Sequence, residues 1–209
     1  IVMENALHGR TLATSTATGN RKVQAGFEPL VQGFVRVPFG DTNALHTVAS
    51  NTPNVVAVFL EPIQGEGGIN IPDAKFLNEV RELCNHHEWL MVLDEIQSGT
   101  GRTGQIFAFQ HAGITPDVLT LAKGLANGFP IGTCLARGEA ATVFQAGNHG
   151  STFGGNPLGC RAALATLKVL QEQDLPARAA QLGKRMLGGF QAALEGVDAV
   201  TSIRGLGLM

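Results

Sequence analysis

Apolar runs that stop abruptly at polar residues set out the frame of this chain. VVAVFL at 55–60 stops at Glu61, WLMVL at 89–93 stops at Asp94 and Glu95, and residues 117–122 stop at Lys123 and Gly124. Runs this short and this apolar read as buried parallel strands, and IGTCLA at 131–136 makes a further one. Between the first two runs the spacing changes to a helical one. Asp73 reads as an early-helix acid, and Phe76, Leu77, Val80 and Leu83 share one face of a helix that lasts to about His87.

Strand, helix, strand, repeated, predicts an α/β fold: a mostly parallel sheet with helices on its faces. Upstream, residues 1–4 read as a strand end. A turn follows at His8, Gly9 and Arg10, then a Thr/Ser-rich loop to about Asn20, a short strand at 34–37 and a short helix at 42–50. Downstream of Ser151 the texture becomes helical. One helix starts near Pro157, where proline suits a first turn, and a second runs from Leu175 to Leu194. Gly183, Gly188 and Gly189 argue against that second helix being continuous. VTSIRGLGLM at 200–209 predicts the start of a small β element.

In open α/β sheets, ligands bind outside the carboxyl ends of the strands. Asp94 and Lys123 would therefore share a crevice. Acids and amines also end strands merely because the chain returns to water, so the pair needs further support.

Composition narrows the partner. The 209 residues are 44% hydrophobic with a net charge of −2, enough for one sizeable core and without the basic surplus that nucleic acid or an anionic membrane would require. No apolar run approaches the roughly 20 residues of a spanning helix. Cys84, Cys134 and Cys160 are too few and too scattered for a disulfide framework or zinc site and read as reduced core residues. The histidines show no metal-ligand spacing. A small-molecule partner and a cytoplasmic setting are expected. Ile1 and Met209 each lie inside an apolar run, so both ends look cut, and a targeting sequence ahead of Ile1 stays open.

A pyridine-type cofactor accounts for the polar residues that remain. Pyridoxal phosphate requires a lysine for covalent attachment, a carboxylate facing the ring nitrogen and donors for its phosphate. Lys123 and Asp94 meet the first two needs. Gln97, three residues beyond Asp94, could donate to the ring hydroxyl oxygen, and Ile96 could pack on the ring. Ser151 and Thr152 offer hydroxyls and backbone N–H groups in a Gly-rich loop suited to an anion.

The motifs EPIQGEGG, LDEIQSGTGRTG, LAKGLANGFPIG and HGSTFGGNPLGC, in that order and spacing, resemble those of the class III pyridoxal-phosphate aminotransferases, especially the acetylornithine and ornithine branch. The resemblance spans essentially the whole chain. It implies a fold-type I major domain over 1–196, with 157–196 as linking helices, and the start of a small C-terminal α+β domain at 197–209. It also implies that Lys123 is the Schiff-base lysine, Asp94 the partner of the ring nitrogen, and Gln97 the contact to the ring hydroxyl. Thr152 would reach the phosphate of a neighbouring subunit's cofactor, which implies a homodimer. Arg10 would bind a substrate carboxylate, Glu61 would line the substrate pocket, and Glu66 would pair with a second, gating arginine. The implied reaction moves the δ-amino group of N-acetylornithine to 2-oxoglutarate, a step of arginine biosynthesis. The alternatives are another ω-amino donor, such as ornithine, succinylornithine or 4-aminobutyrate, and a cofactor-binding fragment without turnover.

The pattern departs from the family in two ways. A glycine-rich phosphate segment and the gating arginine would lie outside these residues, and Leu7 stands where an aromatic ring usually stacks on the cofactor. Aromatic stacking contributes about 0.5–1.5 kcal/mol that a leucine gives up. A Leu7→Phe variant is therefore expected to bind pyridoxal phosphate about two- to tenfold more tightly in a titration; unchanged affinity would contradict the placement of Leu7 against the ring.

Overall fold

The structure is a computed structural model describing all 209 residues. Its centre is a six-stranded sheet in the order β2-β1-β3-β4-β5-β6. The strands are β1 (Val2–Met3), β2 (Arg36–Val37), β3 (Ala57–Leu60), β4 (Leu90–Asp94), β5 (Val118–Leu121) and β6 (Thr133–Ala136). The neighbours from β2 to β5 pair in parallel, and β6 runs antiparallel along one edge. The expected mostly parallel sheet is present.

The helices are α1 (Leu12–Ala17), α2 (Arg21–Gln24), α3 (Thr42–Asn51), α4 (Phe76–His87), α5 (Pro157–Glu172) and α6 (Leu175–Ala193). Alternate residues of the inner strands, Val58 and Leu60, Met91 and Leu93, Leu119 and Leu121, point to one buried face. They form a single core with Phe76, Leu77, Val80, Leu83 and Cys84 of α4. The residues between them, such as Phe59, Val92 and Val118, are only half-buried. Because β1, β3, β4 and β5 are parallel, their carboxyl ends share one edge. The loops that follow them, Glu4–Thr11, Glu61–Asn70, Glu95–Phe107 and Ala122–Ile131, meet there.

Four expectations are corrected. The Thr/Ser-rich stretch is not a plain loop but folds into α1 and α2. Its hydroxyls are satisfied locally: Thr16 donates to the Leu12 carbonyl at 2.9 Å and Thr18 to that of Thr14 at 2.9 Å. Gln24 then donates to the carbonyls of Ser15, Thr16 and Thr18 and locks the two turns together. Asp73 precedes α4 instead of opening it; its carboxylate accepts from the Lys75 N–H at 2.9 Å, and the helix begins only at Phe76. Of the cysteines only Cys84 belongs to the core, where burial pushes its thiol up to about 12, whereas Cys134 is exposed.

The fourth correction concerns the C-terminal region. Residues 200–209 form no strand, and α6 is continuous through all three of its glycines. The reason lies in packing. Gly183 is where the Gly207 backbone crosses α6, so close that a Cβ would overlap the Gly207 carbonyl. On the other side, the Leu208 N–H donates to the Arg102 carbonyl at 2.9 Å. The helix tolerates a glycine because only a residue without a side chain admits the returning chain.

Gly183→Ala is accordingly expected to destabilise the protein by about 1–3 kcal/mol through overpacking, although alanine has the higher helix propensity. Urea denaturation would show it; a rise in midpoint would mean the crossing is not tight.

Candidate active site

Asp94 is the last residue of β4 and is 4% exposed. The strand delivers it to the edge where the loops converge, and two donors meet it there. Its Oδ1 accepts from the Ile96 N–H at 3.1 Å, and its Oδ2 lies 2.8 Å from His8 Nδ1. A carboxylate that only accepts requires that nitrogen to carry the hydrogen. The His8 ring stacks on Phe59 of β3, with centroids 3.8 Å apart, which fixes its plane. Two of the roughly four acceptor positions of Asp94 are thus in use, so the carboxylate retains capacity for the N–H of a protonated ring nitrogen.

Lys123 follows β5, the parallel neighbour of β4, where Asp94 is in register with Thr120. It opens a short 3₁₀ turn, Lys123–Ala126, with φ of +43°, a backbone region sparsely used by residues other than glycine. Its side chain makes no ion pair, and the residue is exposed. A free amine and a buried carboxylate ending adjacent strands fit the demands of pyridoxal phosphate.

The other expected residues divide into those on the edge and those elsewhere. Ile96 and Gln97 are half-buried in the loop after β4, and the Gln97 amide packs against the Cα of Gly65. Leu7 is half-buried in the loop after β1, and Arg10 beyond it is exposed with no ion pair. Glu66 is exposed at the tip of the loop after β3. Ser151 and Thr152 lie in a separate exposed loop, and neither side chain has a hydrogen-bond partner.

Glu61 differs from the expected pocket-lining acid. It is 2% exposed, and both oxygens are engaged with backbone: Oε1 accepts from Leu7 N–H at 3.0 Å and Oε2 from Gly65 N–H at 3.1 Å. It ties the loops after β1 and β3 together. Burial pushes its carboxyl above the ordinary value, opposed by those two amides.

Glu95 makes a similar tie at the next strand of the sheet. Its oxygens accept from Ala108 N–H at 2.6 Å and Phe109 N–H at 2.8 Å, so the residue after Asp94 anchors the far end of its own loop. Sequence reading missed both this clasp and the His8–Asp94 pair. His8 sat in a recognised turn, but its ring contact spans 86 residues and has no local signature.

Comparison with known proteins gives consistent matches. The family described as aminotransferase class III matches residues 1–209. The acetylornithine aminotransferase of Nitrosomonas europaea is 56% identical over 209 residues, covering all of this chain and 53% of that protein. The enzyme of the same name from Methanothermobacter thermautotrophicus is 50% identical with the same coverage. Among solved structures, the ornithine aminotransferase of Toxoplasma gondii matches with a TM-score of 0.95 at 39% identity, covering 99% of this chain and 49% of that one. The acetylornithine aminotransferase of Elizabethkingia anophelis matches at 0.82 and 42%, covering 85% and 47%. The chain spans about half the length of the curated relatives it matches.

The Glu95 clasp has a pH signature. Burial pushes its carboxyl up to about 7 from 4.5, against the pull of the Phe109 and Ala108 amides. Between those values the fold holds a proton that the unfolded chain has released. The contribution of Glu95 to stability is therefore largest below pH 4.5, declines as pH rises, and levels off above about 7, a change on the order of 3 kcal/mol. Glu95→Gln is expected to remove this slope; urea unfolding of both proteins at pH 4.5, 6 and 8 should show a difference that varies with pH, and a constant difference would refute the assignment.

Proposed function

The chain belongs to the class III aminotransferase family, and on that footing we propose that the protein transfers the δ-amino group of N-acetylornithine to 2-oxoglutarate, using pyridoxal phosphate, as a step of arginine biosynthesis. The observation that carries the proposal is the placement of Asp94 at the end of β4 and of Lys123 just beyond the end of β5, its parallel neighbour. The family is dependent on pyridoxal phosphate, and a second Toxoplasma gondii ornithine aminotransferase structure is described as holding PLP at partial occupancy in its active site. When bound, the cofactor supplies an electron-accepting ring and the carbon that carries nitrogen between substrates.

The residues of the chain divide the remaining work. Asp94 would accept the hydrogen bond of the ring nitrogen and favour its protonated form, and His8 holds that carboxylate in place by its Nδ1–H. Gln97 would donate to the ring hydroxyl oxygen, while Ile96 and Leu7 would pack against the ring. Lys123 Nζ would anchor the cofactor and would serve as the base that moves the proton of the substrate carbon bearing the nitrogen. Arg10, exposed and without an ion pair, would bind a substrate carboxylate through its planar fork. Glu66, exposed in the loop after β3, would stand at the substrate side and meet a gating arginine. Glu61 ties the loops that carry Leu7 and Glu66 together.

A second copy of the chain would complete the phosphate site through Ser151 and Thr152. Val143, Phe144, Phe153 and Leu158 support that reading, because they expose an apolar surface on either side of those residues. No helix is long and apolar enough to cross a membrane, and a cytoplasmic enzyme is the reading we adopt. Ornithine is the second donor to weigh, since an ornithine aminotransferase gives the 0.95 TM-score match. The higher identity to acetylornithine enzymes favours the acetylated donor.

Lys123→Ala is expected to abolish both the visible absorbance of lysine-bound pyridoxal phosphate and amino transfer. Asp94→Asn, which keeps the shape and loses the charge, is expected to slow transfer at least about a hundredfold. A donor panel of acetylornithine, ornithine, succinylornithine and 4-aminobutyrate tests specificity. Retention of the visible band by Lys123→Ala, or transfer faster from ornithine than from acetylornithine, would overturn the corresponding assignment.

A further inference from the structure

The loop after β3 is fixed at its base and strained at its tip. Gln64 and Asn70 exchange both backbone hydrogen bonds at 3.0 Å, Asn70 Nδ2 donates to Gln64 Oε1 at 3.0 Å, and Gln64 Nε2 donates to the Glu4 carbonyl at 2.6 Å. Beyond that base, Gly68 has φ of +115° and Ile69 has φ of +51°. Glycine takes such angles freely. A β-branched residue does not, so Ile69 is held where its own side chain disfavours it.

The group that holds it comes from 135 residues away. Arg204 Nε donates to the carbonyls of Ile69 at 2.9 Å and Gly68 at 3.2 Å, and Nη2 donates to Gly68 at 2.7 Å. Nη1 reaches Ser202 Oγ at 2.7 Å, so the guanidinium is fixed on its own side as well. The planar fork spans two successive carbonyls of the left-handed turn, a geometry a lysine cannot match. Glu66 sits two residues before Gly68, directly after Gly65, which packs against Gln97.

We propose that Arg204 is a positioning residue for Glu66: the C-terminal segment, through this guanidinium, keeps the loop tip in its strained turn and so sets where the acid stands relative to the substrate. This rests on the reading of Glu66 as a substrate-side acid. Movement of the C-terminal segment is thereby coupled to the substrate loop, while Asp94 and Lys123, on β4 and after β5, stay outside the coupling.

The test uses the full chain loaded with pyridoxal phosphate and compares Arg204→Met, Arg204→Lys and Arg204→Met combined with Ile69→Gly. Loss of the fork is expected to shift the ratio of KM for N-acetylornithine to KM for 2-oxoglutarate about tenfold, with kcat changed less than about twofold. Arg204→Lys is expected to shift the ratio in the same direction by a smaller factor. Adding Ile69→Gly should restore the ratio to within about threefold of wild type, because glycine takes the positive φ of the turn without the strain that the guanidinium offsets in Ile69. An unaltered ratio in Arg204→Met, or a shifted one that Ile69→Gly leaves untouched, overturns the proposal.

Amide exchange gives a readout independent of turnover. The N–H groups of Gly68, Ile69 and Asn70 are expected to exchange about tenfold faster in Arg204→Met and to slow again in the double variant. Unchanged exchange overturns the latch. A wild-type protein that transfers no amino group from any donor overturns the proposed function instead, leaving the exchange result to judge the latch separately.

Discussion

A carboxylate removed from water must be met by donors, and the edge of this sheet is built around that requirement at Asp94. The Ile96 N–H and the His8 ring meet it, and meeting it draws the loop after β1 over the end of β4. The ring of His8 in turn needs Phe59 beside it and the Thr18 hydroxyl beneath its backbone N–H at 3.0 Å. Burying one acid thus organises residues from two strands, from the loops after β1 and β4, and from the end of α1. Truncating either partner of such a pair leaves an uncompensated polar group, so the arrangement stands or falls together.

The neighbouring acids extend the same logic to the backbone. Glu61 and Glu95 each offer two oxygens to two backbone amides, converting flexible connections into fixed ones. Carboxylate-to-amide ties of this kind are local in space and distant in sequence. They explain how an edge built mostly of loops can hold a fixed geometry. The cost is desolvation, visible in the upward displacement of both carboxyls.

The sheet and its crevice were legible in the sequence because apolar runs report burial directly. β3, β4, β5 and α4 lie close to where hydrophobic spacing puts them, and the motifs carried the family. Polar segments were less legible. α1 is rich in residues that disfavour helix, and it is held because Gln24 of α2 and Arg36 satisfy its carbonyls from outside. The continuity of α6 across Gly183 likewise depends on a backbone crossing from residue 207. Glu61 shows the limit from the other direction. An acid at a strand end marks the right edge, but only the amides of Leu7 and Gly65 reveal that it faces inward.

The strand register also offers an experimental handle. Asp94 sits opposite Thr120, and Thr120 sits opposite Cys134, so the exposed thiol on β6 occupies the same lateral row as the buried acid. Two strand spacings separate their backbones, about 10 Å. A fluorophore or spin label attached to that sulfur would sit near enough to sense whatever enters the crevice, yet on an outer strand where the attachment disturbs no core packing.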